Sequence, residues 1–280
     1  MTDAPELSYC AGEVKRQDPD RFLASLFAGS QAREALFALY AFDLEVGRIA
    51  EITSQPMTGL IRLQWWREAL DEIRAGSVRR HPVVEGLAAA GPALDLDRLH
   101  AVLDGHEPAL DPDPPSSLDQ LDAEAMQAGG GITLAALGLL GGGAPEAEEA
   151  ARHAGTAWGL LQILRATGPL QARERVRLPG DRLRQAGLSG DDVLAGQMTP
   201  ALGEVVAVVL SRARHHAGIA RDLRRSVPAP ARGAFLHLRL FESYARALER
   251  AGHDPFLFAR IERPALAPVL LTTAAYTGRW

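Results

Sequence analysis

The sequence predicts an all-α fold, and three observations lead to this prediction. Apolar residues recur at spacings of three and four along nearly the whole chain, which is typical of helices with one buried face. Alternating runs of β-branched residues, which indicate strands, are scarce. Turn-forming residues fall between the periodic segments, as at Gln55-Pro56 and Gly141 to Gly143, so that each segment is bounded as a helix would be.

The periodic segments predict ten helices in chain order. Ser30 is a good N-cap for the third, and Thr58, two residues after Pro56, opens the fourth. The segment 131–143 is the longest apolar run, and its glycines predict a buried helix that allows neighbouring backbones to approach closely. Segment 173–192 is expected to be the main irregular connection. The predicted helices cover residues 5–16, 20–28, 31–53, 58–75, 82–90, 95–104, 116–141, 145–167, 198–225 and 229–251.

Composition limits the function classes. The chain has 280 residues, of which 47% are hydrophobic and 23% charged, so residues 1–280 are expected to form one globular domain. A net charge of −5 argues against nucleic acid as a partner. The one cysteine, Cys10, allows no intrachain disulfide, and no apolar stretch reaches the roughly 18 to 20 residues of a membrane span. We therefore expect a cytoplasmic protein and leave peripheral contact with the inner membrane open.

Two predicted helices carry the functional argument. The first places Asp43, Gly47 and Glu51 one turn apart on one face. The second aligns Gln162 with Ala166 in the same way. Five blocks around these helices resemble squalene and phytoene synthases in order and spacing. The blocks are FLASLF (22–27), QAREALFALYAF (31–42), RLQWWREAL (62–70), GLLQILRA (159–166) and RERVRLP (173–179).

The resemblance implies a single helical bundle of the isoprenoid synthase type around a central pocket. In that family, two acidic motifs hold magnesium ions, and these ions bind the prenyl diphosphate substrates. Magnesium prefers oxygen ligands, and metal charge stabilises the departing diphosphate when an allylic diphosphate ionises. An active member would therefore need Mg²⁺ and a set of carboxylates facing the pocket.

The sequence departs from both acidic motifs. Gly47 and Arg48 occupy the paired aspartate positions of the first motif, where only Glu51 keeps a carboxylate. Asp43 lies about 12 Å from Glu51 along the helix, too far to share one ion. In the second motif, other residues replace every acid. These degenerate metal-motif positions are Gly47, Arg48, Glu51, Ala166, Pro169 and Leu170.

The pattern of substitution resembles the non-catalytic branch of the family, to which complex I assembly factors belong. This resemblance implies a binding or respiratory complex assembly factor, with no catalytic residues, no bound metal and no cofactor. Its partner would be a subunit of a respiratory complex or an isoprenoid-like lipid. Arg165-Ala166-Thr167 and the block from Gln64 to Arg67 support this branch.

Two alternatives stay open. The chain could be an active, head-to-head prenyl diphosphate transferase of carotenoid or hopanoid synthesis, with Mg²⁺ as cofactor, or a protein that binds an isoprenoid lipid without reacting it. Aromatic residues of the candidate site could equally belong to the core, and its arginines could simply pair with acids. The candidate pocket or anion-binding residues are Phe22, Tyr40, Arg48, Glu51, Gln162, Arg165 and Arg175.

Overall fold

The computed structural model describes residues 7–53 and 55–280, and every regular element within them is a helix. The all-α prediction is confirmed. We number the α-helices in chain order. They are α1 (Tyr9–Gln17), α2 (Pro19–Ser25), α3 (Ser30–Gly47), α4 (Ile49–Ile52), α5 (Pro56–Arg74), α6 (Pro82–Ala89), α7 (Leu96–His106), α8 (Leu118–Ala125), α9 (Gly131–Leu139), α10 (Pro145–Gln171), α11 (Gly180–Gln185), α12 (Gly190–Leu194), α13 (Pro200–Asp222), α14 (Leu238–Arg250), α15 (Pro255–Phe258) and α16 (Ala267–Thr277).

Most predicted helices occur, with changes at their ends and interruptions. The predicted helix 31–53 is divided at Arg48 into α3 and α4, and 116–141 contains a π-helical segment, Met126–Gly130, between α8 and α9. The start of the predicted helix 229–251 is a 3₁₀ helix, Ala229–Phe235, followed by α14. Positions 5 and 6 of the first predicted helix lie outside the described residues.

The structure differs from the predicted elements at three further places. Helix α10 continues past Gly168-Pro169 to Gln171, because a proline removes a single N–H donor and here lies in the last turn. The predicted irregular segment 173–192 contains α11 and the start of α12, which begins with a capping box at Ser189. Beyond residue 251 the chain forms α15 and α16, which the sequence pattern did not predict.

Helix α10 lies at the centre of the bundle. It packs against α13 on one side and against the π-helical segment and α9 on another. A Cβ atom built on Gly129 would lie 2.6 Å from the carbonyl oxygen of Gly155, so the two backbones meet without side chains between them. Gly129 lies just before the segment 131–143, and its close contact with Gly155 fixes α10 relative to the rest of the core.

Helix α3 brings the candidate residues into the core. Residues 36–42 of this helix are all buried, and the helix packs against α1, α6 and α9. Because its buried surface continues almost to its end, polar side chains in the last two turns of α3 enter the interior. None of the helices in the described ranges is long and apolar enough to cross a bilayer.

Candidate functional site

The inward face of α3 carries the first candidate residues, Tyr40, Asp43 and Gly47. They follow one another at spacings of three and four and therefore lie on one side of the helix. Tyr40 is 2% exposed, and the Asp43 side chain is 15% exposed. A carboxylate this far from water requires charged or hydrogen-bonding partners.

Those partners form a buried ionic network, which we define as Asp18, Arg21, Asp43 and His106. Arg21 Nη1 donates to Asp43 Oδ2 at 2.7 Å, and its Nε donates to Asp18. His106 Nε2 lies 3.3 Å from the other oxygen of Asp43. The network thus links α2, α3 and the end of α7 through one arginine and one carboxylate.

Local sequence explains how Arg21 reaches this position. Asp18 is the N-cap of α2, and its side chain accepts the backbone N–H of Arg21 at 2.9 Å, while Pro19 occupies the first helical position. The Arg21 guanidinium also lies 4.7 Å from the centroid of the Tyr40 ring. A cation at this distance is attracted to the ring face, so Tyr40 is part of the same packing unit.

The surroundings of Asp43 and Arg21 favour the charged form of each side chain. Burial alone would raise the pKa of Asp43, but Arg21 and the hydrogen bond to His106 outweigh it and lower the pKa to about 2. Burial would likewise lower the pKa of Arg21, whereas Asp18 and Asp43 raise it above its usual range. Asp43 is therefore an ionised carboxylate whose charge is compensated inside the protein.

Gly47 is predicted to stand where the resembled family keeps a metal-binding carboxylate, and an imidazole lies beside it. A Cβ atom built on Gly47 would lie 3.5 Å from His106 Cε1, in van der Waals contact. The ring of His106 therefore lies beside Gly47, while its Nε2 faces the carboxylate of Asp43.

Glu51, the acid that the first motif retains, is held by an arginine outside both motifs. Arg173 Nη1 donates to Glu51 Oε2 at 3.1 Å and to the Glu51 carbonyl oxygen at 3.0 Å. Arg48 points elsewhere, and its Nη1 donates to Gln17 Oε1 at 3.3 Å. The retained carboxylate therefore faces an arginine, and a second arginine lies three residues before it in the chain.

The second-motif positions lie along the last three turns of α10. Gln162 and Ala166 are half-buried, Pro169 is exposed and Leu170 is buried. None of these four side chains carries a charge. In the part of the chain that the structure describes, no three His, Cys, Asp or Glu side chains are grouped closely enough to hold a metal ion.

Arg165 is directed away from the other candidate arginines. Its Nη2 donates to the carbonyl oxygen of Ile261 at 2.9 Å, and its guanidinium lies 5.1 Å from the Tyr244 ring centroid. Tyr244 in turn donates its hydroxyl to the buried carboxylate of Asp20 at 2.6 Å. Burial raises the pKa of Asp20 to about 6, against the effect of this hydrogen bond.

Arg175 joins backbone segments. It donates to the carbonyl oxygens of Leu110 at 3.0 Å, Thr53 at 3.2 Å and Asp111 at 3.2 Å. Arg48, Arg165 and Arg175 thus have different partners, and a shared anion position stays a prediction.

Phe22 packs as a core residue, stacked on Phe37 with ring centroids 5.2 Å apart. Three grooves on the described surface are lined by residues outside the candidate set. The central pocket expected between α3 and α10 stays a prediction.

Sequence reasoning missed the partners that define the site: Asp18, Arg21, His106 and Arg173. Asp18-Pro19 carries a local signal, since Asp before Pro is a typical helix start. His106 and Arg173 carry none, because they lie 63 and 122 residues from the acids they contact.

Comparisons of the sequence with known proteins identify a family and several relatives. The family model described as squalene/phytoene synthase matches residues 14–268. The chain is 30% identical over 274 residues to "NADH dehydrogenase (ubiquinone) complex I, assembly factor 6" of Mus musculus, covering 97% of this chain and 82% of the mouse protein. It is 29% identical over 211 residues to "Presqualene diphosphate synthase" of Rhodopseudomonas palustris, covering 71% and 73%.

Solved structures show the same fold. A dehydrosqualene synthase superposes with a TM-score of 0.81 at 16% identity, covering 96% of this chain and 95% of that one. A squalene synthase from Alicyclobacillus acidocaldarius superposes with a TM-score of 0.75 at 20% identity, covering 88% and 94%. The helical bundle of these enzymes is therefore present in this chain.

Proposed function

We propose that this chain, which belongs to the squalene/phytoene synthase family, acts as a non-catalytic assembly factor for a respiratory complex. The observation that carries the proposal is the buried ionic network. At the helix where prenyltransferases of this family hold magnesium, Asp43 is compensated by Arg21 and the space before Gly47 is filled by His106.

The chemistry of the site supports binding over prenyl transfer. Ionisation of an allylic diphosphate needs Mg²⁺ held by several uncompensated oxygen ligands. Here Asp43 and Glu51 each contact an arginine, and the positions of the second motif are uncharged. Recruiting a divalent cation at Asp43 would require its buried pair with Arg21 to break, so we infer that the protein needs no metal cofactor.

The share of the chain that each relative matches also supports the assembly function. The relatives whose names state complex I assembly match nearly the whole chain, whereas the match to the presqualene diphosphate synthase covers 71% of it. The proposed partner is accordingly a subunit of a respiratory complex. A role at the inner face of a membrane would need only peripheral contact.

Deletion of the gene in its host tests this proposal. We expect the deletion to lower the amount of assembled NADH dehydrogenase complex on native gels, and the wild-type gene to restore it. Normal assembly in the deletion strain, together with loss of a carotenoid or hopanoid product, would overturn the proposal.

One observation favours the enzymatic alternative, namely the similarity to a presqualene diphosphate synthase combined with the carboxylate of Glu51. The variant Glu51→Ala separates the two functions. An enzyme that uses this acid should lose product formation, whereas an assembly factor should keep complementing the deletion, because the pair with Arg173 is partly exposed and contributes little to stability. For the lipid-binding alternative, native mass spectrometry after gentle purification would detect a retained isoprenoid.

A further inference from the structure

Helix α5 exposes large apolar side chains to solvent. Met57 is 65% exposed and Ile61, one turn later, is 64% exposed. Ile52, at the end of α4, is also exposed, and α4 packs against α5. Isolated apolar residues on a surface are ordinary, but neighbouring ones on a single face indicate a contact surface.

Two adjoining grooves run beside these residues and share Leu60 and Glu107. Their volumes are about 610 Å³ and 460 Å³. Trp65 contributes a partly exposed aromatic ring to the second groove. We call this region the α5 surface. Its members are Met57 and the groove residues Pro56, Leu60, Ile61, Gln64, Trp65, Arg67, Glu68, Asp104, Glu107, Pro108, Leu110, Asp111 and Pro112.

The rim of the α5 surface is acidic. One arginine in the lining, Arg67, donates to Asp104 at 2.7 Å and to Glu107 at 2.6 Å. The lining holds four carboxylates, Glu68, Asp104, Glu107 and Asp111, against this one cation. Beside the lining, Arg79 Nη2 donates to Glu68 Oε2 at 3.0 Å, so four carboxylates and two arginines leave a net negative charge. Negative charge is therefore concentrated around the exposed apolar side chains.

This charge decides which occupant fits. Anionic lipid headgroups attract basic, not acidic, surfaces, so a membrane is disfavoured. A second copy of the chain in a two-fold dimer would place the same acidic rim against itself. A partner with basic residues beside an apolar face complements both the rim and the apolar floor.

We propose that the α5 surface docks a basic amphipathic helix of a partner protein. Met57, Ile61 and Trp65 would contact the apolar face of that helix, and the carboxylates of the rim would pair with its Lys or Arg residues. This inference rests on the proposed assembly function and adds the surface and the chemistry of the partner segment.

A synthetic helix tests the apolar part. The probe is a fluorescent 18-residue peptide with leucines on one face and lysines on the other, titrated with the full-length protein by anisotropy. The double variant Met57→Ser/Ile61→Ser should raise the dissociation constant about tenfold, as expected for loss of an interface hot spot. The matched control, Val269→Ser/Tyr276→Ser, removes exposed apolar side chains from α16 and should stay within about twofold of wild type.

Neutralising the rim tests the charged part. Asp104→Asn/Glu107→Gln should weaken binding severalfold and reduce its salt dependence between about 0.05 and 0.5 M, because fewer charge pairs remain to be screened. The control Glu204→Gln/Asp191→Asn removes two exposed acids outside the α5 surface. It should leave the affinity for the peptide and its salt dependence unchanged. Equal binding by wild type and all variants, or equal binding of a peptide with glutamates in place of lysines, would overturn the inference. So would binding of anionic vesicles that is lost in Met57→Ser/Ile61→Ser.

Complementation separates this inference from the proposed function. If the deletion impairs complex assembly and both α5-surface variants restore it fully, the docking inference fails and the assembly function stands. If the deletion leaves assembly intact while the peptide binds in the predicted variant-dependent way, the assembly function fails and the docking surface stands. Loss of complementation by the α5-surface variants, with normal thermal stability, supports both.

Discussion

Arg21 balances two buried carboxylates, and its removal should be costly for that reason. The variant Arg21→Met keeps most of the apolar stem but removes the guanidinium that pairs with both Asp18 and Asp43. Breaking a buried pair in this way typically destabilises a protein by about 3–5 kcal/mol. Urea denaturation should show this loss in the free energy of unfolding.

The control is Arg173→Met, which breaks the partly exposed pair with Glu51. Exposed pairs contribute about 0–1 kcal/mol, so this variant should unfold close to wild type. Equal effects of the two arginine variants would contradict the distinction between the buried network and the surface pair.

The pKa of Asp43 predicts a dependence of stability on pH. The folded value of about 2 lies below the unfolded value of 3.8, so the ionised form stabilises the fold above about pH 4 and this contribution is lost as the pH falls toward 2. A shift in this direction and of this order corresponds to roughly 2–3 kcal/mol. In Asp43→Asn, the stability difference from wild type should shrink over that pH range in denaturation curves, whereas a constant difference would show that the shift is absent.

At the scale of elements, the crossing of α10 with the π-helical segment sets the geometry of the bundle. A methyl group on Gly155 would overlap the backbone of Gly129 and approach Thr133 Oγ1 to 2.6 Å. Gly155→Ala should therefore destabilise the protein by about 1–3 kcal/mol or more, because the helices must separate.

Gly218 in α13 provides the control, since a Cβ atom there would meet nothing within 4 Å. Gly218→Ala should stabilise the protein by about 0.4–1 kcal/mol through helix propensity and reduced freedom of the unfolded chain. Thermal melting of Gly155→Ala, Gly218→Ala and the wild type compares their stabilities. A neutral Gly155→Ala would contradict the tight crossing.

The same elements show what sequence alone can predict. Long helices with strong periodicity, such as α5 and α13, were predicted to within a few residues because their apolar faces repeat over several turns. The predicted helix 145–167 ends four residues before α10 does, because Gly168-Pro169 is a typical helix end. The short helices α11 and α12 offer too few turns for periodicity to be visible, and their signal was the cap at Ser189.

The candidate site was predictable only in part. The frame of α3 and the missing acids could be recognised because both are local in sequence. The substitute network could not, since the contact of Asp43 with His106 depends on how α7 packs against α3 rather than on any motif. The same holds for Glu51 and Arg173, which come together only in the folded chain.

At the scale of the whole molecule, the bundle of prenyl-transferring enzymes is present, while the charges of its metal positions are satisfied internally. An acidic apolar surface on α5 lies outside the candidate site residues, and it is the surface to which we assign partner contact. The proposed function would separate fold from chemistry in this family, as happens in other folds that host several functions.

Turnover by the purified protein tests whether the protein is a non-catalytic member of its family. Farnesyl or geranylgeranyl diphosphate would be incubated with Mg²⁺ and full-length protein, and diphosphate release would be measured beside a squalene synthase as positive control. For a non-catalytic assembly factor, we expect diphosphate release no faster than in the protein-free sample, because Asp43 and Glu51 are engaged by Arg21 and Arg173. Protein-dependent release of diphosphate that Glu51→Ala abolishes would contradict it.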